Sequence, residues 1–313
     1  MTAALLLALV LIFVSGAGSQ TNLTPTSRAF ATPEDAANTL IDAAEKYNEA
    51  TLTEVLGRDS YDIIHTGEPA RDSEKVKEFA AQARTKMSIE VNKAKNRATM
   101  VVGDEDWPFP VPIIKVGASW FFDTKSGRQE ILRRRIGRNE LDAIEICRGY
   151  VEAQHDYALR KRQGYEVNQY AQRIISTSGE KDGLAWKNAD GTWAGPIGEK
   201  VAAAIALGYN TRTEPYHGYY FKVLKGQGRA APLGELDYVI KGVMIGGFAL
   251  VASPAQYKNT GVKSFIVSQD GVVYEKDLGP LTLEFFKNMD RFNPDKSWTP
   301  VLEPLDIKVK PGD

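Results

Sequence analysis

The sequence predicts an α+β protein: a helix-led N-terminal module with antiparallel strands, a long helical bridge, and a C-terminal antiparallel β module. Three observations carry this reading. Apolar residues recur at helical spacing from 37 to 56 and again from 131 to 158; β-branched and aromatic runs bounded by Gly, Pro and Asn fill the segments between and after them; and the helical runs are grouped instead of alternating one for one with strands. A length of 313 residues makes two modules the expectation, and 43% hydrophobic beside 25% charged residues is enough for folded cores.

The chain opens on an apolar run, Ala3 to Val14, followed by Ser15-Gly16-Ala17-Gly18-Ser19-Gln20. Small residues after a short apolar core predict a signal peptide over 1–19, cleaved after Ala17 or Ser19, although no Lys or Arg precedes the core. The run is too short to cross a bilayer, so no stable membrane span is expected after its removal. A polar linker, 20–28, leads to the N-terminal module, 29–125. There Thr32 is placed as N-cap before Pro33, with Glu34 and Asp35 in the first turn, Ala37, Leu40, Ile41 and Ala44 as the apolar stripe, and Gly57 as the stop. A second helix is expected over Glu74 to Lys86, then strands at Ser88–Val91, Ala98–Val102, Val111–Val116 and Ser119–Phe122.

From Arg128 the period becomes helical, with Ile131, Leu132, Ile136, Leu141, Ile144, Cys147, Val151 and Ala158 near one face and a bend or break at Gly137. This helix, a turn-rich surface loop over Gly179–Gly198 and a small-residue helix over Ile197–Leu207 make up the bridge, 126–210. The C-terminal module, 211–313, has strands at Tyr219–Leu224, Phe248–Ala252, Val262–Val267 and Val272–Glu275, the last two joined by a turn at Gln269-Asp270-Gly271.

Several function classes are excluded at this stage. With 39 basic and 40 acidic side chains the net charge is −1, which gives no electrostatic footprint for nucleic acid. The single cysteine, Cys147, permits no intramolecular disulfide and reads as a small core hydrophobe. Glu152 and His155 form one E-x-x-H pair without a second copy, and His65, His155 and His217 are not spaced for zinc, so no metal or cofactor is expected. Gly226, Gly228 and Ala231 match G-x-G-x-x-A, but Pro232 and Gly234 deny it a helix N-terminus, and a turn explains the glycines.

Trp107-Pro108-Phe109-Pro110, the strand end Trp120-Phe121-Phe122-Asp123 and the run Arg134-Arg135-Ile136-Gly137-Arg138-Asn139-Glu140-Leu141 resemble the exported bacterial proteins grouped as domain of unknown function 2950. The resemblance implies export and carries no activity. His217 to Gly279 is similar to the C-terminal sheet of type IV pilins and pseudopilins, but the chain lacks their long N-terminal apolar helix behind a prepilin cleavage site. That similarity therefore implies a sheet, and not assembly into a pilus.

Candidate site residues fall into three groups. Arg133, Arg134, Arg135 and Arg138 are the densest cationic cluster, read as ion-paired with Glu130, Glu140 and Asp142; the ligand-binding alternative is an anionic polymer on Arg134 and Arg138. Trp186 and Trp193, taken as exposed, suit stacking on sugar rings, with Asp182, Asn188 and Asp190 as hydrogen-bonding partners. Glu214 to Tyr220 joins a histidine, a carboxylate and phenols, so Tyr216 and Tyr219 could hold a ligand and His217 could act as general base with Glu214 or Glu235. No G-x-S-x-G elbow accompanies them. The expectation is a periplasmic or secreted accessory or binding protein, non-catalytic, whose partner is an envelope protein or polysaccharide. The alternative is an envelope hydrolase acting on a wall polymer through His217 and a nearby carboxylate.

Overall fold

A computed structural model describes residues 26–65, 69–161, 166–200 and 215–302, and the chain divides into two compact units, Met1–Glu130 and Ile131–Asp313. The expected leader, most of the linker, the small-residue helix beyond residue 200 and Glu214 lie outside the described residues. The fold is α+β, as the sequence predicts.

In the first unit, Thr32 caps α1 (Pro33–Glu45) by accepting the Asp35 N–H at 3.0 Å, and Asn48 caps α2 (Glu49–Leu56) by accepting that of Thr51 at 3.1 Å. After the single turn α3 (Tyr61–Ile64), α4 (Pro69–Thr85) begins five residues earlier than the apolar pattern suggested. Then β1 (Met87–Val91), β2 (Arg97–Val102), β3 (Trp107–Pro108), β4 (Ile113–Val116) and β5 (Ser119–Phe122) form an antiparallel sheet in the order β1-β2-β4-β5, with β3 on β2. Leu40, Ile41, Val55, Met100 and Ile113 lie in one buried cluster between helices and sheet. The Trp-Pro-Phe-Pro block has a structural role: Trp107 and Pro108 pair with Val102 and Val101, and Phe109 packs on Phe79 at 5.1 Å.

Helix α5 (Thr124–Ala158) continues through Gly137 without a break, because one glycine costs a long helix only about 1 kcal/mol. Its buried positions in the second unit are Ala143, Ile144, Cys147, Tyr150, Ala153, Gln154 and Tyr157. Leu141, expected on this stripe, is instead 66% exposed. Buried Gln154 is satisfied by the backbone of Ala171, whose N–H it accepts and to whose carbonyl it donates, both at 2.8 Å.

Within the bridge expected at 126–210, the buried residues from Ala143 to Tyr157 and Leu184 share one apolar cluster with the C-terminal strands. Three short strands follow the helix: β6 (Arg173–Ile175), β7 (Gly183–Lys187) and β8 (Trp193–Ala194), ordered β6-β7-β8. Next come β9 (Tyr219–Leu224), β10 (Gly226–Gln227), β11 (Leu236–Asp237), β12 (Val239–Ile240), β13 (Val243–Met244), β14 (Ala249–Pro254), β15 (Lys263–Ser268), β16 (Val273–Asp277), α6 (Thr282–Asn288), β17 (Arg291–Phe292) and β18 (Thr299–Pro300). Among the described residues the main sheet is ordered β18-β16-β15-β14-β9 and is antiparallel throughout, with β14 buried along its length. The Gly226–Ala231 stretch is β10 followed by a turn closed by Ala231 N–H on the Gly228 carbonyl at 3.1 Å.

Opposed residues of an antiparallel ladder share a face. Tyr219, Phe221 and Val223 sit opposite Pro254, Ala252 and Leu250, on the face beneath α5, while Tyr220 and Lys222 belong to the other face. There the Phe286 ring of α6 lies 6.4 Å from the Tyr220 ring and 5.3 Å from Lys222 Nζ.

Candidate functional site

The arginine-rich stretch of α5 docks onto a loop and a turn of the β module. Arg135 donates to Asn259 Oδ1 at 2.6 Å, Asn139 Nδ2 to the Thr260 carbonyl at 2.8 Å, and Glu140 Oε1 accepts the backbone N–H groups of Val262 at 2.8 Å and Lys263 at 3.0 Å. Two residues further on, Asp142 Oδ2 lies 2.6 Å from His217 Nδ1. Glu140 and Asp142, expected to neutralise the arginines, therefore hold backbone and imidazole instead, because the β module presents orphan N–H groups and a histidine at that helix face. Arg138 is exposed and has no ion pair among the described residues.

His217 and Gly218 are the central residues of a two-residue turn in which Tyr216 and Tyr219 exchange N–H···O bonds of 2.9 and 3.0 Å. Both have positive φ, 48° and 73°, as a tight hairpin turn demands. Gly218 is required twice over, since a Cβ there would lie 2.6 Å from Asn139 Nδ2. Beyond the turn, Tyr219 is fully buried and donates to the Lys263 carbonyl at 2.7 Å. Burial, with Glu140 nearby, pushes its phenol far above the ordinary value. The partner of His217 is thus Asp142, and not Glu235 or Asp237, which pair with Arg229 at 3.4 Å and Arg291 at 2.5 Å.

A cavity of about 930 Å³ opens beside this dyad. One wall is α5, from Asp142 through Ile146 to Tyr150; the opposite walls are residues 172–175 and 219–223, with Ile197, Lys200 and Phe286 at the margins. Among the described residues, a Cβ at Gly149 would meet only Lys200 Nζ, at 3.8 Å. Tyr216, His217 and Tyr219 are all part of the lining, whereas Trp186, Trp193, Arg134, Arg138 and Glu235 are not.

The tryptophans are not on an exposed loop. Trp186 in β7 and Trp193 in β8 are half-buried members of a hairpin, and Trp186 packs against the core and over Gly195, whose Cβ would fall 2.8 Å from the ring. Their supposed polar partners close turns: Asp190 accepts from Thr192 N–H at 2.9 Å, and Asp182 accepts from Thr177 N–H at 2.8 Å and Arg173 Nε at 3.0 Å. Burial acts against the Asp182 carboxylate, but these bonds outweigh it and hold its pKa below the usual range.

Chemically, the site offers an imidazole oriented by a carboxylate at the mouth of a largely apolar cavity. Nδ1 is engaged by Asp142, which fixes the orientation of the ring. Among the described lining residues Thr177, whose hydroxyl donates to Asp182 at 2.9 Å, is the only aliphatic hydroxyl, and no thiol is present. Glu152 and His155 are exposed, and among the described residues no group of three or more His, Cys, Asp or Glu is arranged to hold a metal ion. Also among the described residues, no helix is long and apolar enough to cross a membrane. The sequence reading missed Asp142 as a site residue and missed the wall formed by Glu145, Gly149 and β6. A signal for the first part was present: Asp142, Glu145 and Gly149 form a polar and small stripe at helical spacing on an otherwise amphipathic helix.

A family model described as "Protein of unknown function (DUF2950)" matches residues 27–301. No curated protein and no solved structure matches the chain.

Proposed function

The chain belongs to the DUF2950 family of proteins of unknown function, and from that premise we propose that it is an exported cell-envelope binding protein that takes its ligand in the cavity beside β9. The observation that carries this reading is the cavity, whose size and mostly apolar walls with a few converging polar groups are those of a ligand site. Gly149 adds support, because a helix-interior glycine costs about 1 kcal/mol and no neighbouring atom of the described residues requires one here. The proposal of export rests on the apolar run Ala3 to Val14 and the small residues after it. N-terminal sequencing of the chain recovered from fractionated cells tests export: a start near Gly18 or Gln20 in the envelope fraction is expected, and a start at Met1 in the cytosol defeats it. Thermal shifts with solubilised wall fragments and with envelope peptides test binding. Stabilisation of the wild type but not of Gly149→Phe is expected, and equal shifts for both would remove the cavity from the account.

A second reading, an envelope hydrolase, is favoured by one observation, the 2.6 Å contact between Asp142 and His217 at the cavity mouth. His217 would take a proton from water while Asp142 fixes the ring and steadies the imidazolium. Release of soluble fragments from purified wall polymer, lost in His217→Asn and Asp142→Asn, would establish it. Asparagine suits position 217 because it tolerates the left-handed turn. No release by the wild type leaves the binding role.

A further inference from the structure

One end of the sheet in the first unit concentrates positive charge. The β1–β2 turn and its flank carry Lys93, Lys95 and Arg97, and Lys115 of β4 joins them because its backbone N–H donates to the Asn96 carbonyl at 2.9 Å. All four side chains are exposed, and among the described residues none is ion-paired; Lys115 has only the Trp120 ring, at 5.7 Å. Arg28, Arg84, Lys86 and Arg128 of the same unit, by contrast, lie against carboxylates. No Asp or Glu occurs in residues 91–97 or 115–119, so nothing in these two turns offsets the charge, an excess that the net −1 of the whole chain hides. Asn92 holds the first turn in shape, its Oδ1 accepting the N–H groups of Asn96 at 3.0 Å and Arg97 at 3.2 Å. Two apolar side chains stand among the cations, Val91 at 44% and Val116 at 47% exposure. Val91 shares a face with Ala98 and Ile113, and Val116 shares the other with Ile114 and Arg97, so this basic and apolar rim is the end of the sheet and not one of its faces.

We propose that this end of the sheet docks, end-on and reversibly, on a membrane surface of anionic phospholipid. The proposal concerns the first unit and is independent of the cavity reading. Headgroup phosphates complement cations that have no ion pair of their own, and each such cation strengthens adsorption to an anionic surface about fivefold, the ratio equivalent to about 1 kcal/mol. The valines select the membrane over a soluble polyanion. A dissolved acidic polymer would engage the cations and leave Val91 and Val116 wet, whereas at a bilayer both side chains enter the headgroup boundary and leave water. An end-on approach follows from the register, because it is the one direction from which Arg97 on one face and Lys115 on the other reach the same plane. Attachment of this kind is peripheral and weakens as salt screens it, and it requires no membrane-crossing helix, of which there is none among the described residues.

Flotation of the chain from Gln20 onward with vesicles tests this, one set of phosphatidylcholine alone and one of phosphatidylcholine mixed with phosphatidylglycerol. Binding to the mixed vesicles only, lost in high salt, is expected. Lys93→Gln, Lys95→Asn, Arg97→Gln and Lys115→Gln should each weaken it about fivefold, with asparagine at 95 because it tolerates the positive φ of 53° there. Val91→Ser and Val116→Ser should each weaken it about threefold through lost apolar burial. Lys75→Gln combined with Lys77→Gln, equally exposed on α4, should leave it unchanged. The six single variants are all at exposed positions and are read separately, so failure of one to fold leaves the others to decide. No binding to the mixed vesicles, equal binding to both compositions, or a loss at Lys75 and Lys77 as large as that at the sheet end overturns the proposal. It is equally overturned if sodium polyphosphate displaces the chain from the vesicles while both valine variants bind them as the wild type does, since the site would then be one for a soluble polyanion. None of these outcomes bears on the cavity.

Discussion

At Gly261 a Cβ would fall 2.2 Å from Tyr219 Oη and 2.7 Å from its Cζ, and the ring cannot yield because it is fully buried and bonded through its hydroxyl to the Lys263 carbonyl. Gly149 is the opposite case, with only a lysine tip within 4 Å among the described residues. The same substitution should thus have opposite signs at the two sites. Gly261→Ala should destabilise the chain by roughly 1–3 kcal/mol through overpacking, and Gly149→Ala should stabilise it by about 0.5–1 kcal/mol through helix propensity, both measured by urea unfolding. Loss of stability in Gly149→Ala would show that the glycine serves packing and would remove its support for a ligand site. Neither difference is legible in sequence, where both are isolated glycines. His217 was legible as a candidate, because a histidine between tyrosines at a strand start combines polarity with a turn. Its partner was not, since Asp142 lies 75 residues away and no local period reports such a contact.

For the elements, α5 shows what periodicity can and cannot yield. Its existence and its buried positions Ile144 and Cys147 follow from the 3.6-residue repeat, while the destination of its polar side chains depends on the partner it meets. Glu140 bonds two backbone N–H groups of the 262–263 segment, so Glu140→Ala should cost about 1–3 kcal/mol, Glu140→Gln less because an acceptor oxygen remains, and Arg138→Ala within about 0.5 kcal/mol. Equal losses at Glu140 and Arg138 in denaturant titrations would point to an ion pair between these two in place of the backbone contacts. The β7–β8 hairpin was misread as a loop because its glycines and asparagine dominate the pattern, although they only close turns. Asp182 beside it gives a pH dependence. Its folded pKa is depressed, so its contribution is full above the unfolded value of about 3.9 and is lost as pH falls through the lower folded value. Its side chain is 41% exposed, which limits the effect to under about 1 kcal/mol. The stability gap between the wild type and Asp182→Asn should accordingly be constant near neutrality and close below about pH 4; a gap that widens on acidification would contradict the assignment.

Across the whole molecule, the sequence located the α+β class, the helix-led start and most strands, because those features rest on local periods and caps. The division of the chain was less legible. Cys147, Tyr150 and Leu184, within the helical bridge expected at 126–210, belong to the same buried cluster as Leu250 and Phe265, an assignment that only long-range packing makes. Cys147 can report on that cluster. It is fully buried, and burial pushes its thiol up to about 12 despite the nearby Arg148 charge, so the native chain at pH 8 holds almost no thiolate and gives reagents no access. Cys147→Ser should cost roughly 1–3 kcal/mol by burying a hydroxyl without a partner. Labelling of the wild type by a maleimide should be negligible in buffer and should rise with urea along the same curve as the unfolding of the second unit, followed by the fluorescence of its tryptophans. Labelling that runs ahead of that curve would mean that the helix–sheet packing around Cys147 opens before the sheet does, and the cavity wall built on α5 would then be a weaker scaffold than its burial implies.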